Sequence, residues 1–184
     1  NALARSTGLE AIVVGIDHGG DLRMRELSPI ANAHVSAAEG RAYLAFVVDV
    51  DKPLIDARYR TLPDRDHTAI IGSSMGGLIS HAALIWYPRV FGRAALFSPA
   101  YEAADAFLDN TFSERLAPGT RIYLYAGGQE SERMVPHTRR AAAAFARQLP
   151  DQDLLLSVVQ GNGHNEAAWC AEFEQAVRWL FPAQ

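Results

Sequence analysis

The stretch Ala69-Ile70-Ile71-Gly72-Ser73-Ser74-Met75-Gly76-Gly77-Leu78 decides the reading of this chain. A short apolar run stops at a glycine-flanked serine, and an apolar segment with helical spacing follows at once. That is the context of a G-x-S-x-G nucleophile elbow, a sharp strand-to-helix turn that exposes a strained serine. Only Ser74 has glycines, Gly72 and Gly76, two positions away on both sides, so this register selects it over Ser73. Both glycines are expected to leave room where side chains would collide. A helix starting near Met75 would aim its free N–H groups and partial positive charge at the serine. The Met75 N–H is therefore the first oxyanion donor to expect.

Alternating strand and helix patterns surround the elbow. Upstream, Leu3 to Leu9 reads as the tail of a helix, and the unbroken apolar run Ala11 to Ile16 as a strand buried on both faces. Asp17 to Gly40 reads as a long loop beside the carboxyl end of that strand. Tyr43, Phe46, Val47, Val50, Leu54 and Ile55 then recur at helical spacing, with Pro53 placed to bend or restart the helix. Downstream, strands are expected at Thr68 to Ile71, Ala94 to Phe97, Arg121 to Ala126 and Leu154 to Val159. Helices are expected at Leu78 to Tyr87, Ala103 towards Leu116, Met134 to Leu149 and Glu166 to Phe181. Such alternation predicts an α/β fold, a mainly parallel sheet with helices on both faces.

The chain has 184 residues, 49% hydrophobic and 21% charged, which suits one soluble domain spanning 1–184. A formal charge of -4 argues against a nucleic-acid partner, which would need a basic face. No apolar stretch approaches the roughly 20 residues needed to cross a bilayer, and no basic-then-apolar leader is visible at Asn1. The single cysteine, Cys170, excludes an intramolecular disulfide framework and fits a cytoplasmic or an exported protein alike. It is expected as a small buried residue of the last helix. No metal-ligand spacing occurs, and nothing calls for a cofactor.

In open α/β sheets, ligands and catalytic groups gather beyond the carboxyl ends of the strands. Gly127-Gly128-Gln129-Glu130-Ser131-Glu132 follows one strand there, and Gly161-Asn162-Gly163-His164 follows the next. The chain order serine, acid, histidine is that of α/β hydrolases. A serine hydroxyl is too weakly acidic to attack unaided at neutral pH, so His164 would take its proton and later give it to the leaving group. Glu130 would hold the imidazole tautomer, with Glu132 close enough to compete. His18, Ser98 and Tyr101 fall on the same edge and are candidates to touch substrate.

Tyr59-Arg60-Thr61-Leu62-Pro63-Asp64-Arg65, the run His67 to Leu78, and Gly163-His164-Asn165-Glu166-Ala167-Ala168-Trp169 together resemble the putative-esterase family of α/β hydrolases. The segment Asp17 to Pro29 is similar to its enterochelin (siderophore) esterase-like branch. The resemblance covers nearly the whole chain. It implies the α/β-hydrolase fold and ester hydrolysis through Ser74, His164 and an acid that best matches Glu130. The chain departs from the family in lacking the strands that precede Ala11 to Ile16, including one that lies between that run and the elbow strand. It is therefore expected to be N-terminally truncated, the C-terminal part of the full fold, with a gap in the sheet and without the loop that supplies a second oxyanion donor. The expected activity is that of a serine carboxylic-ester hydrolase on a small-molecule ester. The alternatives are an acyltransferase on the same triad, or a catalytically silent fragment that binds a partner or a second copy through the exposed sheet edge.

Overall fold

The computed structural model describes residues 9–32, 35–111 and 113–182. Four parallel strands form one sheet in chain order: β1 (Ala69–Ser73), β2 (Arg93–Phe97), β3 (Arg121–Gly127) and β4 (Leu154–Val159). Helices interleave with them: α1 (Arg23–Glu26), α2 (Gly40–Phe46), α3 (Lys52–Arg58), α4 (Met75–Trp86), α5 (Asp105–Asn110), α6 (Met134–Phe145) and α7 (Glu166–Leu180).

Strand side chains alternate between faces, and the two halves of the core follow that period. Ala94, Leu96, Ile122 and Leu124 pack with Leu78 and Ala82 of α4, Leu108 of α5 and Phe145 of α6. Ala95, Phe97, Tyr123 and Tyr125 turn the other way, onto Ala176 and Leu180 of α7. Leu96, Ile122 and Leu124 are fully buried, each worth about 1.5–3 kcal/mol in transfer from water. The best-buried part of the sheet is therefore β2 and β3, while every residue of β1 stays half-buried. Among the described residues β1 pairs with β2 alone.

Two expectations about the amino-terminal third meet different outcomes. The periodic stretch from Gly40 is helical, but a π-helical turn at Val47–Asp51 separates α2 from α3, and Pro53 lies in the first turn of α3. Proline has no N–H and its ring presses on the carbonyl four residues back, so the preceding turn widens. The strand expected at Ala11 to Ile16, by contrast, is not formed. Ile12, Val13, Val14 and Ile16 are between 38% and 66% exposed. An apolar run becomes a strand only by closing a hydrogen-bond ladder with a neighbour, and the free edge of β1 does not pair with it. Instead, Val14, Gly15 and Ile16 lie across a cleft of about 270 Å³ from Phe46, Leu54 and Ile55. The helix tail expected at Leu3 to Leu9 lies outside the described residues apart from Leu9. Among the described residues no helix is long and apolar enough to cross a membrane.

Candidate active site

All the candidate catalytic side chains follow the carboxyl ends of the strands. Ser74 stands between β1 and α4 with φ 56° and ψ −120°, a left-handed conformation uncommon for any residue but glycine. Three hydrogen bonds hold it there: Ser74 N–H donates to Phe97 O (2.9 Å), while Ser74 O accepts from Ala100 N–H (3.0 Å) and Leu78 N–H (3.1 Å). The turn is tight because Gly72 has no side chain; a Cβ there would lie 2.4 Å from the carbonyl carbon and oxygen of Gly76. Gly76 itself differs from expectation, since a Cβ at that position would meet nothing within 4 Å. Only one glycine of the pair is required by contact.

Met75 is the first residue of α4, so its N–H has no intrahelical acceptor and lies beside the serine at the positive end of the helix. The Ser74 hydroxyl makes no hydrogen bond among the described residues. Catalytic contacts of this kind are often loose before substrate binds.

The acid and the imidazole are brought together by backbone pairing that continues past β3 and β4. Gly128 N–H donates to Val159 O and Gln129 N–H to Asn162 O, each at 2.9 Å. Gly127 permits this approach, since a Cβ there would sit 2.3 Å from Asn162 O. The His164 loop thereby folds back over the end of β3, and Asn162 Nδ2 donates to the Tyr125 hydroxyl at 2.9 Å. Glu130 Oε2 and His164 Nδ1 are 2.5 Å apart, with the Glu130 side chain fully buried and that of His164 37% exposed. A carboxylate only accepts, so Nδ1 carries the proton and the neutral ring keeps Nε2 free as a base. Glu132 is exposed, and Glu130 is the acid that the loop delivers to the histidine.

The other oxygen of Glu130 is also engaged, accepting from Gly127 N–H and from Ser98 Oγ, both at 2.6 Å. Burial pushes this carboxyl up, but the hydrogen bonds from His164, Ser98 and Gly127 outweigh it. The net pKa is below the ordinary value, which keeps the group an anion.

Ser98 and Tyr101, expected as candidates to touch substrate, are instead turned inward, both 0% exposed. Ser98 has φ 44° and lies under the acid, where its Oγ also accepts from Trp169 Nε1 at 2.9 Å. Tyr101 turns inward, its hydroxyl 3.0 Å from Nδ1 of buried His81. Burial among aromatic rings pushes the His81 pKa down to about 3, so that imidazole is neutral. His18 is exposed, its Nδ1 accepting from Gly20 N–H, and it makes no hydrogen bond to Ser74, Glu130 or His164. Cys170, expected buried, is exposed on α7. Trp169 was legible only as part of a motif; its indole meets the His164 ring edge to face, with centroids 4.9 Å apart.

Comparison with known proteins adds a family and a fold. Residues 1–180 match the family described as putative esterase. The chain is 27% identical over 187 residues to the uncharacterized protein YbbA of Bacillus subtilis (strain 168), covering 94% of this chain and 74% of that one. The BES protein from Bacillus cereus superposes with a TM-score of 0.73 at 16% identity, over 99% of this chain and 74% of that one. The enterobactin esterase FES from Shigella flexneri superposes with a TM-score of 0.69 at 22% identity over 76% of this chain. This chain spans only 38% of the length of that enzyme. The likenesses establish the α/β-hydrolase fold, and this chain spans only part of the length of these proteins.

Proposed function

The chain belongs to the putative esterase family, and on that premise we propose that it hydrolyses small-molecule carboxylic esters through Ser74, His164 and Glu130. The observation that carries the reading is the buried Glu130 carboxylate 2.5 Å from His164 Nδ1, on the same strand edge as a positive-φ serine at a helix N-terminus.

In the first half-reaction, Ser74 Oγ attacks the ester carbonyl carbon while its proton passes to His164 Nε2. The carbonyl oxygen becomes an oxyanion facing the Met75 N–H. Collapse breaks the bond to the alkoxide, which leaves with the proton from His164, and the acyl group remains on Ser74. Water then attacks the acyl-enzyme, losing its proton to His164, and collapse returns that proton to Ser74 as the acid departs. Glu130 stays ionised throughout and stabilises the imidazolium.

The likeness to an enterobactin esterase makes siderophore esters one class to try beside aryl and small acyl esters. Hydrolysis of p-nitrophenyl acetate by the parent and by Ser74→Ala tests the reading. Loss of the enzymatic rate in the variant is expected, and equal rates would refute it.

The half-buried edge of β1 supports a second reading, self-association through strand pairing. Sedimentation velocity separates the cases: a concentration-dependent dimer is expected from edge pairing, and a monomer at all concentrations excludes it.

A further inference from the structure

Ser98 and Trp169 lie outside the proposed chemistry, yet they close a ring of contacts around it. The indole N–H of Trp169 is a donor only and the Glu130 carboxylate an acceptor only, so the direction of every bond between them is forced. Trp169 Nε1–H donates to Ser98 Oγ (2.9 Å), and the one proton of Ser98 goes to Glu130 Oε1 (2.6 Å). With Gly127 N–H also on Oε1, the remaining oxygen Oε2 is the one that faces His164 Nδ1. The imidazole in turn meets the ring of Trp169 at 88°, which returns the circuit to its start.

The backbone of Ser98 is held as firmly as its side chain. It is fully buried, its φ is 44°, and its N–H donates to Tyr125 O at 2.8 Å. Ser74 and Ser98 are the non-glycine residues with positive φ among the described ones, and they follow neighbouring strands.

We propose that Ser98 and Trp169 are positioning residues that act as one bracket, the serine orienting the Glu130 carboxylate and the indole holding both that serine and the His164 ring. The inference rests on the assignment of Glu130 and His164 made above. Removing the Ser98 hydroxyl leaves Gly127 N–H alone on Glu130 Oε1, and removing the indole N–H leaves the Ser98 hydroxyl unanchored. The carboxylate and the imidazole it aims are then held less tightly, and errors of about 1 Å in such groups can cost up to ~10²-fold in rate.

The test uses Ser98→Gly, which removes the hydroxyl while accepting the positive φ, and Trp169→Phe, which keeps an aromatic ring but has no N–H. The first readout is the downfield proton NMR signal of His164 Nδ1–H, assigned by its loss in His164→Gln. The second is the kcat and KM of ester hydrolysis. In each single variant the signal is expected to exchange with water at least roughly tenfold faster, and kcat to fall by roughly tenfold with KM within about twofold of the parent. The double variant should be no worse than the poorer single one, because one break opens the circuit.

Unchanged exchange and kcat in both single variants would overturn the bracket, as would losses that multiply in the double variant. A folded parent without the His164 signal would instead remove the Glu130–His164 pair, and the proposal with it. Since the exchange readout needs no activity, an unreactive Ser74 does not affect it.

Discussion

The two ends of the described chain use their apolar residues in opposite ways. From β1 onward, leucines, phenylalanines and tyrosines are enclosed between the sheet and its helices. Among the described residues, every large hydrophobic side chain left exposed lies between Ile12 and Leu62. Both regions carry apolar runs of similar quality, Ala11 to Ile16 and Ala69 to Ile71. Among the described residues, only the second has a strand to pair with. The difference teaches that apolar composition supplies the capacity for burial, while a neighbouring strand decides whether it is used.

The comparison is best broken at the site itself. Ser74→Ala should lower ester hydrolysis by at least about 10⁴-fold while leaving the unfolding midpoint near that of the parent, because the side chain makes no hydrogen bond among the described residues. Steady-state kinetics and a urea titration check both halves of the statement.

Next come the core and its empty counterpart. Leu124→Ala should cost about 2–5 kcal/mol, from lost transfer energy and the cavity left behind, since Leu124 is fully buried. Val13→Ser, at a side chain 66% exposed, should stay within about 0.5 kcal/mol. Denaturant unfolding of the pair measures the contrast, and comparable losses would show that 11–16 is packed after all.

A subtler pair lies within the elbow. Gly72→Ala would push a Cβ to 2.4 Å from the Gly76 backbone, and a destabilisation of roughly 2 kcal/mol or more is expected from that overlap. Gly76→Ala meets open space inside a helix and should stabilise by up to about 1 kcal/mol. Thermal unfolding should therefore move in opposite directions for two glycines of one motif.

The last effect is a slope with pH. His81 is held neutral by burial, with its pKa lowered from 6.5 to about 3. The unfolded chain takes up a proton below 6.5 and the folded chain does not, so the stability from this group is whole above 6.5 and is lost as pH falls towards 3. The steepest loss is roughly 1.4 kcal/mol per pH unit. Glu130, depressed below its ordinary 4.5, has the same sign but contributes its loss only as pH falls from about 4.5. Unfolding midpoints between pH 6.5 and 5, compared for the parent and His81→Gln, measure the share of His81, and the variant should show the flatter slope.

Much of the fold was legible because periodicity reports burial directly. The strand at Leu154 to Val159 matches residue for residue, and the other sheet strands and three of the helices that follow them fall within a few residues of expectation, whereas the helix expected from Ala103 towards Leu116 is the short α5, ending at Asn110. Chain order was enough to nominate Ser74, Glu130 and His164 together. What sequence did not carry was direction. Ser98 and Tyr101 stand at the predicted edge, yet their side chains point down into hydrogen bonds with Glu130 and His81. Spacing alone does not say which glycine of an elbow bears the contact, and Gly72 and Gly76 look equivalent until the turn is built. The bracket of Ser98 and Trp169 joins residues 71 positions apart, a separation no local pattern reports.

The most direct test of the account is the intact mass of the parent chain and of Ser74→Ala after treatment with a fluorophosphonate. The account predicts one stoichiometric adduct on the parent and none on the variant. A folded parent that takes no adduct, or a variant labelled as fully as the parent, would contradict it.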